Sequence, residues 1–307
     1  MNGLSAAIVI VVGIGWGLLA PGSKALFIAE PAVFNGASLA FARAGWALPV
    51  FMVVAAVLWA RERPVLSARR WIALVLAGLC YGPGIALLIS LASARTSIAH
   101  ISFLIGVSPV TNAAVAAIVF RTTLDRRAWL ALVLGIVGVV LLAMTHRSGG
   151  ASIVGDALMI AWLAGFAAYA CFLKYAGEGL SSTLIMSLVG VVSTVALMLV
   201  DITSGGVRAL VHVFDSLAIA VWFFGIVVVW ATIVSQVAYT VAIRRMGIAN
   251  ATIGAEYTTL AVGIVASLAM HEPWTPLTAA AGVCFAAALA VTFVANPFAR
   301  RRSEVGL

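Results

Sequence analysis

Residues 5–27 read SAAIVIVVGIGWGLLAPGSKALF, an apolar run whose one charge, Lys24, falls near its end. At 1.5 Å per residue a helix of that length crosses the hydrocarbon of a bilayer. The same reading extends outward along the chain. Apolar runs between polar or charged breaks lie at about 5–27, 34–59, 71–91, 96–120, 128–144, 154–174, 180–200, 217–242, 248–270 and 275–295. Each must be helical, because lipid offers no partner to an unpaired backbone group and ten-residue alternating strands are absent from the sequence. The fold class that follows is all-α integral membrane, with ten transmembrane helices.

Composition agrees. The 307 residues are 64% hydrophobic and 9% charged, with a mean hydropathy of +1.17, whereas soluble domains are about 45–50% apolar and about 25% charged. A water-soluble globule is excluded, and so is a single anchor, since the apolar material is spread along the whole chain. The polar interruptions near 60–70 and 201–216 are too short for an extramembrane domain. The run behind Met1-Asn2-Gly3 lacks a positive n-region and reads as a retained first helix. Cys80, Cys171 and Cys284 stand singly in apolar segments, which suggests neither disulfides nor a metal site, and no cofactor is expected.

The net charge of +8 follows from orientation and implies no nucleic-acid partner. With the N-terminus in the cytoplasm, thirteen of the eighteen Lys and Arg fall in inside loops and tails, and only Arg95, Arg147 and Arg208 fall outside. This asymmetry predicts two cytoplasmic termini and an even number of spans. The partners it implies are the lipid bilayer and a small-molecule substrate; oligomeric state and driving force are not specified.

An ungapped shift of 150 residues relates the two halves in two separate places. Gly15, Trp16, Ala20 and Lys24 fall on Gly165, Phe166, Ala170 and Lys174; Ile98, Ala99, His100, Ser102 and Ser108 fall on Ile248, Ala249, Asn250, Thr252 and Thr258. The division expected is 1–148 and 149–307, five helices each. Five is odd, so the second half runs opposite to the first, as in the inverted repeats of secondary transporters. Lys24 and Lys174 then lie at opposite mouths of one path, although snorkelling at helix ends accounts for either one equally well.

The residues also carry a resemblance. The stretch Ala86 to Ala94, through Ser108-Pro109 to Trp129-Leu130, resembles the end of an EamA-type repeat of the drug/metabolite transporter superfamily. Tyr239 to Ile248, followed by His271-Glu272-Pro273-Trp274, resembles the same segment of a second repeat. The resemblance implies ten spans in two inverted five-helix repeats and transport by alternating access through a central cavity. Two departures make the halves unequal: the fourth-helix proline, Pro109, is Thr259 in the second half, and the closing acid, Glu272, is Thr122 in the first. Trp16, Tyr81-Gly82-Pro83-Gly84 and Glu256-Tyr257 resemble the bacterial aromatic amino acid exporters more narrowly. That resemblance implies export of small amphipathic metabolites across the inner (plasma) membrane of a bacterium.

Candidate site residues come from what is costly at membrane depth. Arg43 and Glu256 each lie about ten residues inside a span, roughly 15 Å deep. A charge there costs some 2.5–3.5 kcal/mol, so each must face the interior, water or a partner. A structural ion pair or a protonated Glu256 is one reading; coupling to substrate or protons is the other, with Glu256 governing turnover and Tyr257 binding. Trp16, Tyr81, Trp162, Tyr169, Gln236, Tyr239 and Tyr257 lie near mid-span as substrate-binding candidates, since indole and phenol groups there need polar partners or water. His100 reads as a pore-mouth residue. Gly82, Pro83 and Gly84 form the strongest hinge candidate, in the half whose first four spans each carry one proline.

Other functions fit less well. The sequence has no HExxH, GxSxG or paired-carboxylate spacing, and His271-Glu272-Pro273 lacks the second histidine, so no enzyme is expected. A filter such as TVGYG is missing too. The alternatives to an amino acid exporter are an exporter of cationic drugs or quaternary ammonium compounds and a facilitator pore of the same fold.

Overall fold

The computed structural model describes residues 3–119, 121, 126–145, 152–176, 179–201, 205–246 and 248–294, and no strand occurs among them. The apolar runs become α1 (Gly3–Ala29), α2 (Gly36–Glu62), α3 (Ala68–Ser93), α4 (Ile98–Val119), α5 (Arg126–Met144), α6 (Ile153–Ala176) and α7 (Ser182–Asp201). Next comes α8, built of Leu217–Trp222, Phe223–Val234 and Ser235–Met246, and then α9 (Ile248–Ala269) and α10 (Pro276–Val294). A short helix, Gly206–His212, precedes α8. Among the described residues nine helices are long and apolar enough to cross a membrane, while the apolar part of α10, Pro276–Val291, is shorter.

The starts and stops have local causes. Asn35 caps α2, accepting from the N–H groups of Ala37 and Ser38 at 2.9 Å, while the Ser38 hydroxyl accepts from the Asn35 N–H at 2.9 Å in return. At the far end of α9 the Glu272 N–H reaches back to the Ser267 carbonyl at 3.0 Å and the His271 N–H to Leu268 at 3.0 Å. This is a Schellman closure, with His271 at φ 53° in the left-handed position usually taken by glycine.

Two helices leave α geometry inside the bundle. In α3 the segment Gly82–Leu87 is wound as a π-helix around Pro83, which has no N–H to donate. In α8 the π segment Phe223–Val234 contains no proline. There the hydroxyls of Thr232 and Ser235 reach five residues back to the carbonyls of Val227 and Trp230, both at 2.8 Å, and engage the carbonyls of the widened turns. The sequence points to hinges in the proline-bearing half, yet a helix of the other half is opened as well.

Small residues set the close contacts. Gly13 and Gly17 let α1 lie against Thr258, Ala255 and Val262 of α9, and Gly78 and Gly82 let α3 lie against Val192 and Ser193 of α7. Both π segments receive a glycine of a neighbouring helix. A methyl on Gly165 of α6 would sit 2.6 Å from the Gly84 carbonyl oxygen, and one on Gly15 of α1 would overlap the Ser235 hydroxyl. Further pairings join α2 to α7, α4 to α9 and α6, α1 and α2 to α8, and α3 to α6. Helices α5 and α10 pack chiefly on each other at the edge, and α5 turns Trp129, Val133, Ile136 and Val140 outward.

Candidate functional site

Arg43 is carried by α2 into the interior, where it is 7% exposed. Its guanidinium donates to the Ala86 carbonyl, in the π turn of α3, at 3.4 Å. The same turn brings Tyr81 within electrostatic reach of Arg43. The Tyr81 hydroxyl accepts from Gln236 Nε2 of α8 at 2.5 Å, and its ring lies 5.4 Å from that of Tyr169 on α6. Tyr169 is in turn within electrostatic reach of Tyr239, and Tyr239 of Glu256. The Tyr239 hydroxyl shares a 2.6 Å hydrogen bond with Thr252, and its ring leans on Trp16 at 4.9 Å.

Glu256 ends this row on α9. Its carboxylate is 1% exposed, and Oε1 accepts from the Ser108 hydroxyl of α4 at 3.1 Å. Oε2 is buried with no hydrogen-bond partner among the described residues. Arg43 and Glu256 do not pair with each other; three tyrosines stand between them. The ion-pair reading of these charges therefore fails, and each keeps capacity for another partner.

Most predicted residues assemble around this row. Trp16, Tyr81, Tyr169, Gln236, Tyr239, Arg43 and Glu256 belong to it directly. Trp162 stacks on Phe166 at 5.1 Å, and Phe166 meets Tyr169 at 6.2 Å, so the face read from the spacing extends the row along α6. The Trp162 indole N–H is also buried without a partner among the described residues. Tyr257 is only half-buried at the margin of the core. Lys24 and His100 lie away from the row, at the end of the bundle near the α3–α4 turn. The Lys174 side chain lies outside the described residues.

Ser108 and Asn112 escape a reading by sequence, because a hydroxyl or an amide in an apolar run carries no distinctive pattern. Asn112 stands one helical turn from Ser108, and its Oδ1 is buried without a partner among the described residues. The sequence marks Ser108 only by its place in the 150-residue offset and in the EamA-like stretch, neither of which assigns it a partner.

The row holds an unpartnered carboxylate oxygen, a buried guanidinium and π faces between them. A carboxylate so placed suits a proton or an ammonium group, a guanidinium suits a carboxylate, and tyrosine and tryptophan faces suit a planar ring. No cluster of His, Cys, Asp and Glu able to hold a metal ion occurs among the described residues.

Residues 3–144, just under half of the chain, match the family model of the EamA-like transporter family. No curated protein matches the sequence.

Proposed function

We propose that the chain is a secondary transporter that exports small zwitterionic amphipathic metabolites, aromatic amino acids first among them, by alternating access. The observation that carries the reading is the row from Arg43 to Glu256: one cation, one anion with a free oxygen, and aromatic rings between. An amino acid needs those three elements. Arg43 and Glu256 are too far apart to hold one α-amino acid at both of its charges at once. Its ammonium therefore meets Glu256 in one access state and its carboxylate meets Arg43 in the other, with its ring passing among Tyr81, Tyr169 and Tyr239. The transporter-family match over residues 3–144 supports the carrier class.

Ten spans in two inverted halves, 1–148 and 149–307, complete the proposal, with both termini cytoplasmic in a bacterial inner membrane. Helix packing supports it: exchanging α1–α5 with α6–α10 turns α1–α9 into α4–α6, α3–α6 into α1–α8 and α3–α7 into α2–α8, and all of these pairs are in contact. The pairs α2–α7, α4–α9 and α5–α10 map onto themselves. The two π segments, in α3 and α8, are also exchanged. The site lies between the halves near mid-span, where inverted-repeat carriers bind their substrates.

Export of cationic drugs is the second reading. The acid beside Tyr239, whose ring leans on Trp16, favours it, since that surround also suits a quaternary ammonium through cation–π contacts. Uptake into proteoliposomes separates the two. Labelled tryptophan, tyrosine and phenylalanine should accumulate saturably, and cationic dyes should neither be taken up nor compete. Uptake of dyes alone would establish the second reading instead.

A further inference from the structure

The polar groups at the Lys24 end of the bundle play no part in the row, yet they are connected to one another. Lys24 Nζ of α1 lies 2.5 Å from Glu272 Oε1 and donates to the Thr96 carbonyl at 3.3 Å. Glu272 is fixed in place by the Schellman closure of α9. Its carboxylate accepts the Ile98 N–H at 2.9 Å and the Ala99 N–H at 3.3 Å, capping α4. The Thr96 hydroxyl donates to Asp156 Oδ1 of α6 at 2.6 Å. Asp156 Oδ2 bonds His100 Nδ1 at 2.8 Å, and His100 Nε2 lies 3.2 Å from the Thr145 hydroxyl after α5.

The two chains of contacts meet at Thr96. Lys24, Thr96, His100 and Thr145 come from the first half of the sequence; Asp156 and Glu272 come from the second. The ends of α1, α4, α5, α6 and α9 are thereby fastened across the boundary that a carrier must open. Burial divides the labour. His100 and Asp156 are 2% and 7% exposed and hold the Thr96 turn as a fixed landing point. The Lys24 side chain is 25% exposed, so water can solvate it when it leaves. Glu272 keeps its two backbone N–H partners after Lys24 departs, so the contact can break without undoing the start of α4.

We propose that this network is the gate closing the Lys24 end of the transport path, and that the Lys24–Glu272 pair is the contact that parts when the path opens to that side. The proposal rests on the carrier reading, since only a carrier alternates between closed faces. On the orientation proposed above, this is the outer gate.

One-sided labelling tests it. A Gln236→Cys reporter, in a background with Cys80, Cys171 and Cys284 changed to Ala, is placed in oriented proteoliposomes and challenged from each face with a bulky impermeant maleimide. Lys24→Met, which spares the Glu272 cap, should raise the labelling rate from the Lys24 face about threefold or more. It should leave or lower the rate from the other face, and Lys24→Arg should restore the parent pattern. An anchor with no gating role would give Lys24→Met a lower melting temperature and no one-sided change. Labelling that is unchanged, or that rises equally from both faces, overturns the gate. Transport is measured on the parent protein, in which Gln236 is intact. A one-sided shift of the reporter together with a parent that moves no amino acid would keep the gate and sink the substrate reading, whereas amino acid transport by the parent without a one-sided shift would do the reverse.

Discussion

Glu256 carries a cost at membrane depth, because a carboxylate oxygen buried with no partner among the described residues forfeits about 1–3 kcal/mol, and more when charged. Such a cost is retained where a transient partner offsets it. Glu256→Gln is expected to keep the fold and lose most net transport in proteoliposomes; a variant that transports like its parent would make the carboxylate structural. Ser108, 148 positions away in sequence, gives Glu256 its one hydrogen bond among the described residues. Ser108→Ala should lower stability by about 1–3 kcal/mol, read as a lower melting temperature in detergent. Both deep charges are legible in the sequence because charge is rare at that depth. Their failure to meet is not, since it depends on where the packing sets α2 and α9, with tyrosines of α3, α6 and α8 lying between the two charges.

At the scale of elements, the helices were readable to within a few residues, nine of them long and apolar enough to cross a membrane among the described residues, because bilayer thickness and backbone hydrogen bonding leave so little choice. The winding inside them was only half readable. Pro83 between two glycines announces the π segment of α3, but that of α8 has no proline, and Thr232 and Ser235 point to it only once the five-residue reach of their hydroxyls is seen. The glycines at offset 150 now have a physical reason: Gly165 lies against α3 at Gly84 and Gly15 against α8 at Ser235. Gly165→Ala would place a methyl 2.6 Å from a backbone oxygen that has no rotamer to change. It should destabilise the fold by about 1–3 kcal/mol, visible as a drop in melting temperature. Gly225, which meets nothing within 4 Å, is the control, and its alanine variant should not produce that loss.

For the whole molecule, the arrangement proposed is two opposed halves with the substrate row between them, and the charge asymmetry and the exchange symmetry of the packing support that proposal. Cysteines at Arg95 and Arg63, both exposed, check its orientation: an impermeant reagent should reach the first from outside and the second from inside. The Lys24 network was visible in the sequence only as separate residues, because its members lie up to 248 positions apart and a polar residue beside a loop looks ordinary. The central claim, that the chain carries a zwitterionic aromatic substrate by alternating access, is tested most directly by counterflow. Proteoliposomes loaded with unlabelled tryptophan and diluted into labelled tryptophan should show a transient, saturable overshoot of label that the Glu256→Gln variant lacks. Label that only equilibrates, at a rate linear in concentration and indifferent to that substitution, would contradict the account and indicate a pore.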